Sequence, residues 1–190
     1  ATLSARHDTV KSRLNDLLNG SESPQTDRKW SGRVGLNYVM DSGLAPYISF
    51  ANSFQADLGR DFAGNAFRPT IGKQFEVGAK YRPASDNALY TLAIFDLKQE
   101  NVATVDPDHA FFSLQQGEIK SRGVELEAKF RVSRLLDIIG SYTYTDAKVT
   151  RSNDPATLRK RVPLQPRQQA NLWAVYRLPA GVLAGAGIGG

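Results

Sequence analysis

Glu125 and Glu127 stand two positions apart in the run SRGVELEAKF. If that run is a β-strand, the two carboxylates share a face, roughly 7 Å apart. Paired acids are what general acid–base chemistry uses. The neighbouring residues favour a plainer role. Gly123, Lys129 and Arg131 share the acids' face, while Val124, Leu126, Ala128, Phe130 and Val132 hold the other. A face that is polar along its whole length is a wet wall, with Lys80, Lys129 or Arg131 available as counter-ions. The remaining catalytic inventory is thin. His7 and His109 stand in unrelated contexts and there is no cysteine, so a thiol nucleophile or thiolate metal site is impossible. The glycines of residues 184–190 lack the strand-to-helix context and the following Lys of a phosphate loop. No catalytic residue, cofactor or side-chain metal site is expected, so the chain is not expected to be an enzyme.

The elements that position these residues are long alternating segments. Residues 29–40, 44–55, 72–82, 88–100, 118–132, 135–148 and 168–178 each read as one strand. In 72–82, Phe75, Val77, Ala79 and Tyr81 oppose Gln74, Glu76, Gly78, Lys80 and Arg82. In 29–40, Val34, Leu36, Tyr38 and Met40 oppose Arg33, Gly35 and Asn37. Period-two alternation puts the apolar set on one face and the polar set on the other. Two segments are less clean. Leu92 and Ile94 oppose Ala93, Phe95 and Leu97, and Trp173 and Val175 sit with Asn171 and Arg177. A further strand is expected at 2–11, and another begins at Val182, giving about nine antiparallel strands.

Connectors alternate in length. Segments 41–43, 83–87, 133–134 and 179–181 are short, with Gly, Asp and Asn supplying turn conformations. Segments 12–28, 56–71, 101–117 and 149–167 are long and polar. Strands of this length exceed the five or six residues typical of globular sheets. They match the roughly 9–11 needed to cross a bilayer. Short turns at one end and long loops at the other are the pattern of an outer-membrane barrel, with the long loops outside the cell. Trp30, Tyr38, Tyr47, Tyr81, Tyr90, Tyr144 and Tyr176 lie near strand ends and are expected to form interfacial girdles.

Composition is compatible with this reading. A mean hydropathy of −0.37 does not oppose a membrane location, because a wide barrel has a wet interior. The net charge of +5 is scattered rather than gathered on a helix or stacking platform, so nucleic acid is not an expected partner. Arg151, Arg159, Lys160, Arg161 and Arg167 cluster in the 149–167 segment. That segment is either a solvated loop or a contact for lipopolysaccharide phosphates or another anionic ligand.

Several strings then become specific. They are RVGLNYVMDSGLAPYISFANSF (33–54), SFQADLGRDFAGNAFRPTIGKQFEVGAKYRP (53–83), IFDLKQENVATVDP (94–107), QQGEIKSRGVELEAKF (115–130), SYTYTDAKVTRS (141–152) and QANLWAVY (169–176). In this order and spacing they resemble the barrel of TonB-dependent siderophore receptors of the ferrichrome/hydroxamate branch. The resemblance covers nearly all of residues 1–190 as one partial barrel domain. It implies an all-β fold, part of a 22-stranded transmembrane barrel, with the plug domain absent from this segment. It also implies a bacterial outer-membrane location and import of ferric siderophores. TonB is the implied energy-supplying partner, acting through the plug region, and iron would arrive already chelated. On that reading Phe62 and Phe67 in one outer loop, and Phe111 and Phe112 in the next, are the ligand-binding candidates. The plainer alternative is that these rings pack the loops together. A passive porin, a structural barrel and a soluble all-β binding module are the competing functions.

Overall fold

Residues that alternate in polarity become a sheet whose two faces differ in kind. The computed structural model describes residues 1–16, 20–85, 87–179 and 186–190. Among them nine strands follow one another: β1 (Thr2–Asp16), β2 (Ser21–Asn37), β3 (Leu44–Gln55), β4 (Thr70–Tyr81), β5 (Ala88–Val105), β6 (Ser113–Arg131), β7 (Leu136–Arg151), β8 (Gln168–Arg177) and β9 (Gly187–Gly189). Each pairs antiparallel with the next, so the order across the sheet is the order along the chain.

Register assigns every side chain to a face, because directly opposed residues lie on the same side of a sheet. Leu36, Ile48, Val77, Ile94, Val124 and Tyr144 form one continuous row across six strands. One residue along, Asn37, Tyr47, Gly78, Ala93, Glu125 and Thr143 form a row on the other face. Both ambiguous segments are thereby settled. Leu92 and Ile94 join the apolar face, opposite Leu126 and Val124, while Ala93, Phe95 and Leu97 join the polar one. Trp173 and Val175 oppose Ile139 and Asp137 and also lie on the polar face.

Among the described residues, the large side chains of the apolar face stay exposed. Leu126 is 46% exposed and Ile94 53%, and the buried hydrophobic residues among those described are Phe67, Ala93 and Ala147. Leaving such a face in water would forgo roughly 25 cal/mol for each Å² of apolar surface. Hydrocarbon is the solvent that suits it.

Strand lengths correct the expected loops. β5 and β6 run to 18 and 19 residues, well beyond what a bilayer needs. Residues 12–16 and 21–28, expected in a loop, lie in β1 and β2, paired without interruption from Thr2↔Gly35 to Asp16↔Ser21. Residues 101–105, 113–117 and 149–151 likewise extend β5, β6 and β7. Their few apolar residues, such as Leu14, Val102, Val105, Leu114 and Val149, do not build a clean period-two pattern, so alternation does not reveal them, yet cross-strand hydrogen bonds still form. The ladder slips at Glu100/Val102 and Val102/Thr104, where bulges re-aim the strands.

The short turns at 41–43 and 133–134 stand where expected. Gly43 has φ +83° and its amide donates to the Met40 carbonyl at 3.0 Å. A Cβ there would sit 2.0 Å from the Arg82 carbonyl oxygen, so the turn requires glycine. In the 83–87 turn Asp86 lies outside the described residues. So do Ala180–Gly185, which carry most of the expected 179–181 turn and the start of the strand expected from Val182.

One expected girdle residue is misplaced. Tyr47 lies on the polar face, and its hydroxyl donates to Glu76 Oε1 at 2.8 Å. Tyr81 and Tyr90 stack at 6.4 Å on the apolar face beside the short turns. Trp30 packs on His7 at 4.9 Å toward the long-loop end.

Candidate functional site

Three connectors gather at the long-loop end. The one after β3 closes on itself as a small hairpin. Arg60 bridges Ala66, and the Asp61 amide donates to the Asn65 carbonyl at 3.0 Å. The Asp61 carboxylate accepts from the Asn65 side chain and amide, both at 2.8 Å, and the Asn65 side chain is the largest cause holding its carboxyl below the usual range. Three amide side chains fasten this hairpin to its neighbours. Gln25 of β2 donates to the Phe67 carbonyl at 2.9 Å and to the Asp57 carbonyl at 3.3 Å. Gln115 of β6 accepts from the Arg68 amide at 2.6 Å and donates back to its carbonyl. Asn101 of β5, itself at φ 61°, donates to the Pro69 carbonyl at 3.0 Å. Sequence inspection missed all three, because isolated amides in polar stretches carry no periodic signal.

The connector after β5 is organised by Asp106. Its carboxylate accepts from the Asp108 amide at 2.9 Å and holds His109 Nδ1 at 2.9 Å. The Asp108 N–H, followed by His109, keeps the Asp106 carboxyl below the ordinary carboxylate range. A depressed acid stabilises the fold above its usual pKa and loses that contribution as pH falls through the lowered value. Acidification below the carboxylate range is therefore expected to loosen residues 106–112, and Asp106→Asn to do so at neutral pH. Faster hydrogen exchange at the Phe112 amide is the measure, and unchanged exchange in both cases counts against the role.

The four candidate phenylalanines part company here. Phe62 stacks on the His109 ring at 3.7 Å and meets Phe112 edge-on at 5.2 Å. This trio joins the first two connectors. Phe67 is buried, its ring lying where a Cβ on Gly59 would fall, and it packs the hairpin. Phe111 stands apart, fully exposed at φ 69°. His109 was not foreseen as part of the cluster.

The connector after β7 doubles back along its own strand. Arg159 and Lys160 exchange backbone hydrogen bonds with Val149, and the Val162 amide donates to the Ala147 carbonyl at 3.1 Å. Arg161 and Arg167 come within 3.9 Å of Asp146, so part of the basic cluster faces the apolar side of the sheet rather than the polar one.

The polar face is a wall of paired groups. Glu127 meets Lys129 at 2.8 Å, one of the pairings expected for it. Asp137 takes Arg131 at 3.2 Å and Arg177 at 2.5 Å. Arg33 donates to Ser49 at 3.2 Å. Among the described residues no three His, Asp or Glu side chains converge on a point where a metal ion could sit. The arrangement can bind through rings and hydrogen bonds at its rim and can line an aqueous lumen.

A family model described as TonB dependent receptor-like, beta-barrel, matches residues 1–190. The chain is 39% identical, over 99% of its length, to the ferrichrome outer membrane transporter/phage receptor of Escherichia coli (strain K12), of which it covers 25%. It is 37% identical, over 99% of its length, to a ferrioxamine B receptor of Salmonella typhimurium (strain SL1344), covering 26% of that protein. It thus spans about a quarter of the length of the curated relatives it matches. Among solved structures, the siderophore receptor PiuA from Acinetobacter baumannii superposes with a TM-score of 0.74 at 19% identity, over 92% of this chain and 28% of that one. The alcaligin outer-membrane receptor FauA from Bordetella pertussis gives 0.70 at 23% identity, over 98% and 32%.

Proposed function

Because the chain belongs to the TonB-dependent receptor β-barrel family, we propose that it is one arc of an outer-membrane barrel that binds ferric siderophores and imports them. The observation that carries this reading is the 39% identity, over 99% of this chain, to a ferrichrome transporter, on a sheet with one lipid-suited face. The receptor's location is the bacterial outer membrane, with the long connectors outside. Import draws on energy delivered by TonB through a plug domain formed elsewhere in the receptor.

The rim made by the first two connectors is the proposed contact for the chelate. Phe62 and Phe112 offer rings that are half-exposed and held by their neighbours, which suits recognition of an organic ligand at little entropic cost. Phe111 offers a ring with no constraint of that kind, and Phe67 acts through the hairpin it fills. Basic residues of the third connector are proposed to meet lipopolysaccharide phosphates.

The test is growth on defined iron chelates. A strain lacking other siderophore receptors should grow on a ferric hydroxamate only when the whole receptor is expressed. Phe62→Ala with Phe112→Ala should weaken chelate binding by about tenfold, or ~1.4 kcal/mol. Growth independent of the receptor would refute import, whereas unchanged binding in the double variant would refute the rim alone.

A further inference from the structure

His109 stands in the rim held on several sides. Asp106, 4% exposed, takes its Nδ1 at 2.9 Å, and the other carboxylate oxygen accepts from the Asp108 amide. Backbone closes the turn around the pair. The Asp106 amide donates to the Phe112 carbonyl at 3.0 Å, and the Phe112 amide donates to the His109 carbonyl at 3.2 Å. One face of the imidazole lies almost flat on Phe62, with 3.7 Å between centroids and 13° between planes. Phe62 itself stands on the hairpin that Gln25, Asn101 and Gln115 fasten. A ring clamped in this way has little freedom left to lose when a ligand arrives. Yet the His109 side chain is 39% exposed, and among the described residues no group hydrogen-bonds its Nε2.

The chemistry of the pair fixes what Nε2 can do. An ionised carboxylate only accepts hydrogen bonds, and Asp106 is kept in that form chiefly by the Asp108 N–H. Nδ1 therefore carries the ring hydrogen, and in the neutral imidazole Nε2 is left as an acceptor. A carboxylate on one ring nitrogen also fixes the direction in which the other points. The polar groups of the neighbouring hairpin are already engaged within it. Asp57 accepts from the Gly59 amide, Arg60 donates to the Gly64 carbonyl, and Asp61 accepts from Asn65. The imidazole is left as the polar member of the ring cluster, beside the half-exposed Phe62 and Phe112. We propose that His109 is a ligand-contact residue that sets specificity: its Nε2 accepts a hydrogen bond from an N–H of the chelate's organic frame. Phe62 and Phe112 take the apolar parts of the same frame. The favoured ligand class is a ferric hydroxamate whose linkers are secondary amides. The assignment rests on the reading of this rim as the chelate contact, and adds the chemical group that the frame must present.

The test uses the full receptor, purified in detergent, at about pH 8, above the ordinary imidazole range. Two synthetic ferric trihydroxamates are the probes. One joins its hydroxamates through secondary amides, and the other has an ester oxygen in place of each amide N–H. Both are acetyl-capped, so neither carries an ammonium group. Equilibrium dialysis with radioiron-loaded chelates reads Kd. Wild type is expected to bind the amide chelate about five- to tenfold more tightly, the range for one neutral hydrogen bond. His109→Phe keeps a ring over Phe62 but has no nitrogen, and in it the preference should vanish. A purely structural role would weaken both chelates together and leave their ratio intact. An unchanged ratio in His109→Phe, or no preference in wild type, would overturn the assignment. If His109→Phe fails to fold, His109→Met, which also covers Phe62, is read the same way. Phe62→Ala with Phe112→Ala reports separately on the rim. Unchanged binding of both chelates there would refute the rim as the chelate contact, whereas loss of both, with the ratio intact in His109→Phe, would refute His109 alone.

Discussion

Leu126→Arg is expected to destabilise the assembled barrel by about 2–4 kcal/mol, the cost of a cation on a lipid face near mid-membrane. Leu126 lies between Leu92 and Tyr142 on the apolar face, far from the charged pair Asp96 and Arg122. Its side chain has no water to reach and no acid beside it. Glu127→Arg, one residue along, should cost less than about 1 kcal/mol. Glu127 faces the polar wall beside Lys129, where a half-exposed ion pair is worth little and water remains at hand. Unfolding of the full receptor in lipid vesicles by urea measures both. Equal costs at the two positions would overturn the assignment of faces on which the whole functional reading depends.

Gly123→Val is expected to cost about 1–3 kcal/mol through overpacking, and Phe95→Ala is expected to recover part of it. A Cβ at Gly123 would lie 2.2 Å from the Tyr144 carbonyl oxygen and 2.6 Å from the Phe95 ring. The ring can be removed, but the carbonyl belongs to the β6–β7 ladder and can only shift. A double-mutant cycle separates the two causes. Full recovery would make the ring the sole obstacle, and no recovery would place the whole cost on the backbone.

The faces of this sheet were readable because one solvent selects one parity. Val124 to Phe130 alternates without exception, and the structure keeps that assignment. Reading failed where no solvent selects. Residues 12–16, 101–105 and 113–117 keep no sustained period-two pattern, and the register shifts at Glu100/Val102 and Val102/Thr104 break what alternation there is, so their pairing rests on backbone hydrogen bonds that any residue can make. It also failed where one element borrows order from another. Leu92 and Ala93 could not be assigned from their own segment, and the unbroken pattern of β6 fixes them through register. The rim was legible as aromatics in polar connectors, but not as a cluster. Gln25, Asn101 and Gln115 decide where the hairpin carrying Phe62 and Phe67 sits, and each acts across at least 32 residues of chain. Tyr47 shows the reverse error, since an aromatic near a strand end was read by type, while its parity places it against Glu76.

Strand order that equals chain order has a consequence for assembly. Each strand needs only the one made just before it, so every hairpin closes a loop of tens of residues at most and incurs little closure entropy. Such a sheet can lengthen one hairpin at a time, and its long-range order is a sum of nearest-neighbour decisions. That economy carries a matching vulnerability. A slip of one residue at the β5–β6 seam would turn Leu126 and its row inward and present Glu127 to hydrocarbon, and every strand added afterwards would inherit the wrong side. The alternation of Val124–Phe130 in β6, clear of the register shifts near the long-connector end, is therefore where the wall's register is most strongly specified.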